Sequence, residues 1–309
     1  MATTGTSAFN LDVNDLIEEA FERCGQELRT GYDFRTARRS LNLLTIEWAN
    51  RGINLWTIEQ GQIPLYPSQI VYALPAGTID LLDQVVRTGT GQNQQDININ
   101  RISESTYSTI PNKNAQGRPI QVWINRQSGE DNATTATLSA SINDSVTTIP
   151  VNGVTQLASA GFVKIGSETI SYSAIDGNNL VYCARGQNGT TAAAHTSGDA
   201  LTNQNLPCIN IWPVPNQGST GNPYYTFVYW RMRRVQDAGS GTRTQDIPFR
   251  FLECMVAGLA YRMSMKLAGV DPNRVMALKA EYEQQWQLAA DEDREKASDR
   301  FVPRGMFYR

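Results

Sequence analysis

The stretch Asp33–Glu59 constrains the fold most strongly, because it joins a helix signal directly to a strand signal. Apolar residues recur at offsets of four, three and four, which places them on one face of a helix. The residues on that face are Ala37, Leu41, Leu44 and Trp48. Asp33 can cap this helix, and Gly52 is the residue expected at its end. The segment from Ile53 to Glu59 is then expected to be extended.

Three further helix patterns flank the middle of the chain. The first is expected between Asp12, which can cap it, and Gly25, which can end it. Its apolar stripe consists of Val13, Leu16, Ile17, Ala20, Phe21 and Cys24. In the C-terminal third, one pattern follows Pro248 to Gly269, and the next begins at the cap pair Asp271-Pro272. Their stripes consist of Leu252, Met255, Leu259, Met263 and Leu267, and of Val275, Leu278, Tyr282 and Trp286. Helical pairs are therefore expected at both ends.

The middle of the chain alternates strand and turn signals. The main strand candidates are Ile70–Leu74, Leu81–Thr88, Ile97–Asn100, Ile120–Arg126, Cys208–Pro215 and Tyr224–Arg233. One helical turn is expected within Ser103–Ile110. The candidates Ile120–Arg126 and Cys208–Pro215 lie on either side of a stretch of different composition, and we expect them to be neighbours in the fold.

That stretch, residues 129–205, is rich in Ala, Ser, Thr, Asn and Gly and has few charges. Its strand candidates are Thr148–Val151, Phe162–Gly166, Thr169–Ile175 and Leu180–Arg185. Asp176-Gly177 is a hairpin signal, because a type I′ turn needs positive φ at its central residues. We interpret residues 129–205 as a small all-β module inserted into a loop of the main domain.

Composition narrows the functional classes. The 309 residues carry a net charge of −3, so the whole molecule does not have the basic character of a nucleic-acid-binding protein. No apolar run approaches the length of a membrane span, and MATTGTSAFN lacks the features of a signal peptide. The cysteines Cys24, Cys183, Cys208 and Cys254 are scattered, which suits a reducing compartment better than a disulfide or zinc scaffold.

Candidate chemistry is sparse. His195 is the single histidine and lies in a loop of small residues without a nucleophile elbow, so it is expected to be a surface or locally hydrogen-bonded side chain. The carboxylate runs Glu18-Glu19 and Asp291-Glu292-Asp293 are expected to be solvated faces. We therefore predict no catalytic, metal or cofactor site and no cofactor, and we expect a protein that is not an enzyme.

The basic clusters are expected to pair with a protein partner rather than with nucleic acid. They consist of Arg35, Arg38 and Arg39, of Arg231, Arg233 and Arg234, and of the arginines in the tail. The tail Phe301–Arg309 has no amphipathic period, and Pro303 and Gly305 forbid a continued helix. Aromatic residues between arginines are typical of an anchor segment whose pocket lies on another chain, while the alternative is a disordered terminus.

Four segments carry a resemblance to a known family. They are LNLLTIEWANRGINLWTIEQG (Leu41–Gly61), IVYALPAGTIDLLDQVVR (Ile70–Arg87), GRPIQVWINR (Gly117–Arg126) and INIWPVPN (Ile209–Asn216). With the helical pairs and the tail, this pattern resembles the head-to-tail adaptors, or connectors, of short-tailed bacteriophages, often called tail tubular protein A. Separately, Ser167–His195 is similar to a small β module that recurs in phage structural proteins.

The resemblance implies a virion protein of the neck or tail, made in the host cytoplasm, that forms a dodecameric ring between the portal protein and the tail nozzle. DNA would pass through the lumen without sequence-specific binding, and tail fibres are a possible further partner of the module. The residues expected to contact the portal are Arg300, Phe301, Arg304, Met306, Phe307, Tyr308 and Arg309.

The sequence therefore predicts an α+β fold: a helical bundle from the N- and C-terminal helices, an antiparallel β subdomain and an inserted small all-β domain. The expected divisions are 1–128 with 206–298 for the adaptor core, 129–205 for the insert and 299–309 for the tail. A tail-associated protein that binds carbohydrate or a receptor through the β insert is the main alternative. A wall-degrading hydrolase is a third, but it would need paired carboxylates or a zinc triad.

Overall fold

A computed structural model describes residue 5 and residues 11–52, 55–127, 131–219 and 222–293. The chain divides into two compact units, Met1–Thr57 with Val235–Arg309, and Ile58–Arg234. The first unit is helical and the second consists mainly of strands, so the predicted mixed α+β class is confirmed.

The helical unit contains α1 (Val13–Cys24), α2 (Gly31–Arg51), α4 (Leu252–Ser264) and α5 (Pro272–Glu292). Asp12 caps α1 in a reciprocal capping box with Asp15, and Gly25 ends it at a φ of 72°. Asp271 caps α5, and Pro272 is in its first turn. These three cap predictions are confirmed.

The start of α2 differs from the prediction. Its N-cap is Thr30, and Asp33 is the third helical residue instead of the cap. The Thr30 hydroxyl accepts a bond of 3.2 Å from the amide of Asp33, while the Asp33 carboxylate accepts one of 3.1 Å from the amide of Thr30. The two side chains thus satisfy each other's backbone donors, which extends the helix by one turn. After Gly52, residues Leu55–Thr57 form a short 3-10 helix, and the strand begins at Ile58.

Helix α4 is the centre of the helical core. It is apolar nearly all the way round, as expected of a helix that is covered on several sides. The stripes of α1, α2 and α5 form one buried cluster with it, which includes Leu16, Leu44, Met255, Leu259 and Tyr282. Gly258 lies where α4 is in close contact with α5 and α2, because a Cβ there would be 2.8 Å from the Tyr282 ring and 3.0 Å from the Leu44 methyl groups.

The second unit contains two four-stranded sheets that share one apolar cluster. The first has the order β1 (Ile58–Leu65), β20 (Tyr225–Arg233), β3 (Thr78–Thr88) and β4 (Gln95–Asn98), all antiparallel. The second has the order β2 (Val71–Ala73), β16 (Cys208–Trp212), β7 (Gln121–Asn125) and β5 (Asn100–Ile102). Ile209 pairs with Ile124, so the predicted neighbours 120–126 and 208–215 are confirmed. A short helix, α3 (Glu104–Ser108), occupies the predicted helical turn.

The remaining strands are shorter. Two minor ladders join β6 (Gln116–Gly117) to β17 (Val214–Pro215) and β18 (Gly218–Ser219) to β19 (Asn222–Pro223). An eight-stranded sheet has the order β12 (Ala174–Asp176), β13 (Asn179–Val181), β9 (Ile149–Asn152), β8 (Asn132–Leu138), β15 (Ala200–Gln204), β10 (Gly161–Ile165), β11 (Glu168–Tyr172) and β14 (Ala184–Gln187). Its own apolar cluster includes Val151, Ile165 and Tyr172.

The hairpin between β12 and β13 is one residue later than predicted. Asp176 pairs with Asn179, so the two loop residues are Gly177 and Asn178. Only Gly177 has positive φ, at 58°. The turn is therefore not type I′, which needs positive φ at both central positions.

Candidate functional site

The predicted portal-binding residues lie outside the described residues. They are Arg300, Phe301, Arg304, Met306, Phe307, Tyr308 and Arg309. The described chain stops at Asp293, whose carboxylate accepts hydrogen bonds from the Arg250 guanidinium and from the amide of Leu55. The structure therefore shows the point at which the last helix is fixed, close to the start of α4.

An acidic surface lies along α1 and the start of α4. It is a groove of about 780 Å³, lined by Leu11, Asp15, Glu18, Glu19, Glu22, Arg23, Phe249, Leu252, Glu253 and Val256. Five carboxylates against one arginine give this surface a formal charge of −4. The Phe249 ring at its edge is 63% exposed. The acidic surface thus combines an excess of negative charge with exposed apolar area.

Arg23 organises the carboxylates on one side of the acidic surface. Its guanidinium is 2.9 Å from Glu19, 2.8 Å from Glu253 and 3.0 Å from Glu281. The bond to Glu253 is the main cause that raises the pKa of Arg23 above its ordinary value. Within the described ranges, Glu18 and Glu22 have no ion-pair partner, so their charge remains open to another molecule.

A basic surface lies at the C-terminal end of α4, between α2, α4 and α5. It is a hollow of about 470 Å³, lined by Leu43, Glu47, Arg51, Tyr261, Arg262, Met265, Lys266, Lys279, Tyr282 and Glu283. Four cations against two carboxylates give it a formal charge of +2. Leu43 is 51% exposed and Met265 57% exposed, so this surface also has an apolar part.

The two surfaces lie on opposite sides of α4. Glu253 on the acidic surface and Arg262 on the basic surface are nine positions apart, which is about 2.5 helical turns. Leu252 and Tyr261 have the same spacing. A half-turn offset directs the two sets of side chains to opposite sides, so the helical unit presents two unlike patches of opposite charge.

The strand-rich unit contains a neutral cleft of about 710 Å³ between the sheet of β7 and β16 and the eight-stranded sheet. The Tyr107 and Trp123 rings stack in it with centroids 5.0 Å apart. Its amide side chains belong to Asn114, Asn125, Gln127, Asn203, Gln204, Asn205 and Asn210. Among the described residues that line it, Lys113 is the only charged one.

The cleft is suited to an uncharged ligand rich in hydroxyl groups. An aromatic face contacts the apolar side of a sugar ring, and amides both donate and accept hydrogen bonds. The buried Oε1 of Gln204 has no hydrogen-bond partner within the described chain. Burial raises the pKa of Tyr107 to about 12, which keeps its hydroxyl protonated.

His195 belongs to a buried ionic cluster. Of the two environments expected from the sequence, the hydrogen-bonded one is the one observed, and the surface one is wrong. The Nε2 of His195 lies 2.8 Å from Oε2 of Glu168, a carboxylate with no exposed side-chain area. Arg185 binds both oxygens of the same carboxylate at 2.8 Å. The backbone amides of Gly186 and Ala193 also donate hydrogen bonds to the Glu168 carboxylate. The cluster ties the loop that contains His195 to β11, which is a structural use of these charges.

Sequence reasoning missed this cluster because its members are 10 to 27 positions apart and lie in different strands and loops. Burial favours the neutral form of Glu168, but the bonds from Arg185, His195 and the two amides outweigh it and lower the pKa of this carboxyl to about 2. Its charge is therefore fully compensated inside the sheet.

The other residues that the sequence analysis singled out, the arginines and the cysteines, lie at separate places in the chain. Arg231 and Arg233 bind the Glu59 carboxylate at 2.8 and 2.6 Å. All four cysteines are buried free thiols. Among the described residues, no three His, Cys, Asp or Glu side chains converge as they would around a metal ion. In the same part of the chain, none of the helices has the length and apolar character needed to cross a bilayer.

Comparison with known proteins finds no protein-family model that matches the sequence and no matching curated protein.

Proposed function

We propose that this chain is a structural head-to-tail adaptor of a short-tailed bacteriophage, whose copies form a ring between the portal and the tail nozzle. In this proposal the protein acts by association and catalyses no reaction. The observation that supports it is the pair of oppositely charged surfaces on opposite sides of α4. A ring of identical subunits joins unlike faces, so each subunit must present two different patches.

The chemistry of the two surfaces supports a contact between copies. Opposite charges steer the encounter and fix the register of the two subunits. The exposed Phe249 on the acidic surface and Leu43 and Met265 on the basic one supply apolar area to be covered. Complete burial of one such side chain contributes about 1.5–3 kcal/mol.

The proposal includes a finer arrangement of the chain. Residues 1–128 and 206–298 would form the adaptor core, 129–205 an inserted β domain and 299–309 the portal-binding tail. The confinement of the eight-stranded sheet to residues 132–204, with its own apolar cluster, supports the insert. The direct pairing of β7 with β16 supports it too, because the chain leaves and rejoins the sheet at neighbouring strands.

The resemblance of the four segments to the phage adaptors extends the proposal to the place of the protein in the virion. Twelve copies would surround a lumen through which DNA passes, in the neck of the virion, after synthesis in the host cytoplasm. The acidic balance of the chain, −3, supports passage of DNA without tight binding to phosphate. The β domain would face outward, toward tail fibres or neighbouring subunits.

Charge reversal on the two surfaces tests the ring. The first variant carries Glu18→Lys and Glu22→Lys, and the second carries Lys266→Glu and Lys279→Glu. Each is mixed with the portal protein of the same phage and examined by electron microscopy and analytical ultracentrifugation. We expect each variant alone to form rings at least tenfold less than wild type. In the first variant the acidic surface becomes formally neutral, so its attraction to the basic surface is lost. In the second the basic surface becomes formally −2, so it repels the acidic surface.

Mixing the two variants supplies the decisive comparison. Copies of the two kinds can alternate around a ring with an even number of subunits. The unaltered acidic and basic surfaces then meet at one interface, and the new lysines face the new glutamates at the next. We expect rings to return in the mixture. Glu27→Lys with Glu104→Lys changes the net charge by the same amount as the first variant, at exposed positions elsewhere, and should leave assembly intact. Wild-type assembly by both single variants, or no ring from the wild-type protein on its portal, would overturn the proposal.

The neutral cleft favours a second candidate function, the binding of a carbohydrate or a glycosylated receptor by a tail-associated protein. Its test is a glycan array probed with the full chain. If the cleft binds saccharide, Trp123→Ala should lose the signal, whereas Tyr224→Ala, which removes an exposed aromatic ring outside the cleft, should retain it. An array with no signal for the wild-type chain would rule out the carbohydrate-binding function.

A further inference from the structure

The neutral cleft of the strand-rich unit has a wall whose composition is fixed by strand pairing. Asn210 of β16 pairs with Val71 of β2 on one side and with Trp123 of β7 on the other. Directly paired residues of an antiparallel ladder project from the same face of the sheet. Val71, Asn210 and Trp123 therefore form one row, and all three line the cleft. An apolar side chain, an amide and an aromatic ring thus lie side by side.

The opposite wall repeats the combination of an apolar side chain with an amide. Phe162 of β10 pairs with Gln204 of β15, so these two side chains are also neighbours on one face. Both line the cleft. Phe162 belongs to the same small apolar cluster as Val71 of the first wall. The two walls therefore meet at an apolar end of the cleft, and each wall contributes one amide beside it.

The two amides have unused hydrogen-bonding capacity. Asn210 is only 6% exposed, and its side chain forms no hydrogen bond to any residue that the structure describes. Oε1 of Gln204 is buried and is also without a partner among the described residues. Buried polar groups in native proteins are nearly always hydrogen-bonded, so such exceptions need an explanation. A ligand that bonds to both amides supplies one.

An acetamido group has the chemistry that these walls require. It carries one N–H donor and one carbonyl acceptor, and a side-chain amide can bond to either of them. Its methyl group is apolar and suits the end of the cleft at Val71 and Phe162. In an acetylated amino sugar, this group is attached to a ring whose apolar face matches the stacked pair of Tyr107 and Trp123.

The charge of the cleft distinguishes the acetylated sugar from the free amino sugar. Among the described residues that line the cleft, none is acidic. Lys113 contributes a positive charge, and its ammonium donates to the carbonyls of Ser108 and Ile110 at 3.3 and 3.1 Å. The ammonium of a deacetylated sugar would therefore enter the cleft without a counter-charge, which is unfavourable.

We propose that the neutral cleft binds a glycan that contains N-acetylhexosamine, with the acetamido group between Gln204 and Asn210. The two amides then determine specificity, while Trp123 contributes affinity for any sugar ring. This inference rests on the second candidate function, saccharide binding, and names the class of sugar. It is independent of the adaptor function.

Three trisaccharides with the same linked backbone test the inference on the full chain. Triacetylchitotriose carries an acetamido group on each ring, cellotriose carries a hydroxyl at the same carbon, and the chitosan trimer carries a free amino group. Isothermal titration calorimetry measures the Kd of each. We expect triacetylchitotriose to bind at least tenfold more tightly than the other two, because a site that hydrogen-bonds a ligand group rejects the analogue without it.

Two variants locate the selectivity. Gln204→Met and Asn210→Leu each replace one amide by an apolar side chain of similar size. We expect each to reduce the preference for triacetylchitotriose over cellotriose to about threefold or less. Gln62→Met is the matched control, because it removes an exposed amide of β1 outside the cleft, and it should keep the wild-type preference. Both Kd values come from one sample, so partial unfolding of a variant would not change their ratio.

The results separate the inference from the functions proposed above. Equal affinities for triacetylchitotriose and cellotriose would overturn the acetamido inference and leave saccharide binding in place. A wild-type preference that persists in both variants would overturn the assignment to Gln204 and Asn210. No binding of triacetylchitotriose would also overturn the inference, and the glycan array decides separately whether other saccharides bind. The adaptor function is tested by ring formation on the portal and is not affected by these results.

Discussion

The indole Nε1 of Trp48 donates a hydrogen bond of 3.1 Å to the hydroxyl of Tyr282. This bond joins α2 to α5, which are separated by more than 200 residues. The Tyr282 hydroxyl in turn donates to Glu47 at 3.0 Å. Arg51 and Arg262 also bind Glu47, so a polar chain runs from the buried indole to the surface. The N- and C-terminal parts of the helical unit are therefore held by a shared polar network as well as by apolar contacts.

Removing the Tyr282 hydroxyl should destabilise the helical unit. In Tyr282→Phe, the Trp48 Nε1–H is left buried without a partner, which costs about 1–3 kcal/mol. Urea unfolding followed by circular dichroism at 222 nm measures this loss. Tyr261→Phe is the matched control, because its hydroxyl makes no hydrogen bond within the described chain, and its unfolding midpoint should stay close to that of wild type. Equal midpoints for the two variants would contradict the role of the bond.

Gly258 should not tolerate even a methyl group. A Cβ at this position would lie 2.8 Å from the Tyr282 ring and 3.0 Å from the Leu44 methyl groups. Since overpacking of a tight core costs about 1–3 kcal/mol, Gly258→Ala should unfold at lower temperature. Gly31→Ala provides the control, because a Cβ there meets nothing within 4 Å, and alanine favours the helix. If Gly258→Ala melts at the temperature of wild type, the close approach of the three helices is wrong.

Most of the helical architecture could be predicted from local sequence. The apolar stripe from Val13 to Cys24 and the caps Asp12 and Asp271 depend on residues three or four positions apart, which the sequence displays directly. The predicted N-cap of α2 was three residues too late, because Thr30 and Asp33 both carry a side chain that can cap a helix. Which of the two serves as N-cap is decided by backbone geometry at Thr30 rather than by residue type.

The candidate surfaces could be predicted only in part. The sequence indicated Glu18-Glu19 as a solvated face, and Glu18 is exposed. It did not indicate that Glu253 and Phe249 would join the same surface, because that depends on how α1 packs against α4. The cluster of Glu168, Arg185 and His195 likewise needs strand pairing that no local pattern specifies.

Arg23 should hold the carboxylates of the acidic surface together. Its replacement by methionine keeps much of the apolar stem but leaves Glu19, Glu253 and Glu281 facing each other without a cation. We expect Arg23→Met to lower the free energy of unfolding by about 1–3 kcal/mol, as for hydrogen bonds to charged groups. The loss should shrink in 1 M salt, because screening weakens repulsion between the carboxylates.

Arg29→Met is the matched control for this experiment. The Arg29 side chain is 74% exposed and forms an ion pair of 3.4 Å with Glu27. Exposed pairs of this kind contribute about 0–1 kcal/mol, so its unfolding curve should nearly coincide with that of wild type. A loss in Arg23→Met that does not change between low and high salt would show that lost packing, not charge, is responsible.

The Glu168 carboxylate should make the strand-rich unit sensitive to acid. Its pKa of about 2 in the fold is lower than the ordinary value of about 4.3 in an unfolded chain. The stability that it contributes is therefore fully present above about pH 4.5 and is lost as the pH falls toward about 2. Urea unfolding between pH 7 and pH 2, followed by near-ultraviolet circular dichroism, should show this decline.

Glu168→Gln tests that assignment at a single residue. The amide cannot neutralise Arg185, so the variant should be less stable by about 3–5 kcal/mol at pH 7, as for other broken buried pairs. Between pH 4.5 and pH 2 it should lose less stability than wild type, because the titrating carboxyl is gone. Glu104→Gln, at an exposed position on α3, should follow the wild-type curve throughout. A wild-type decline that persists undiminished in Glu168→Gln would assign the acid sensitivity to other carboxylates.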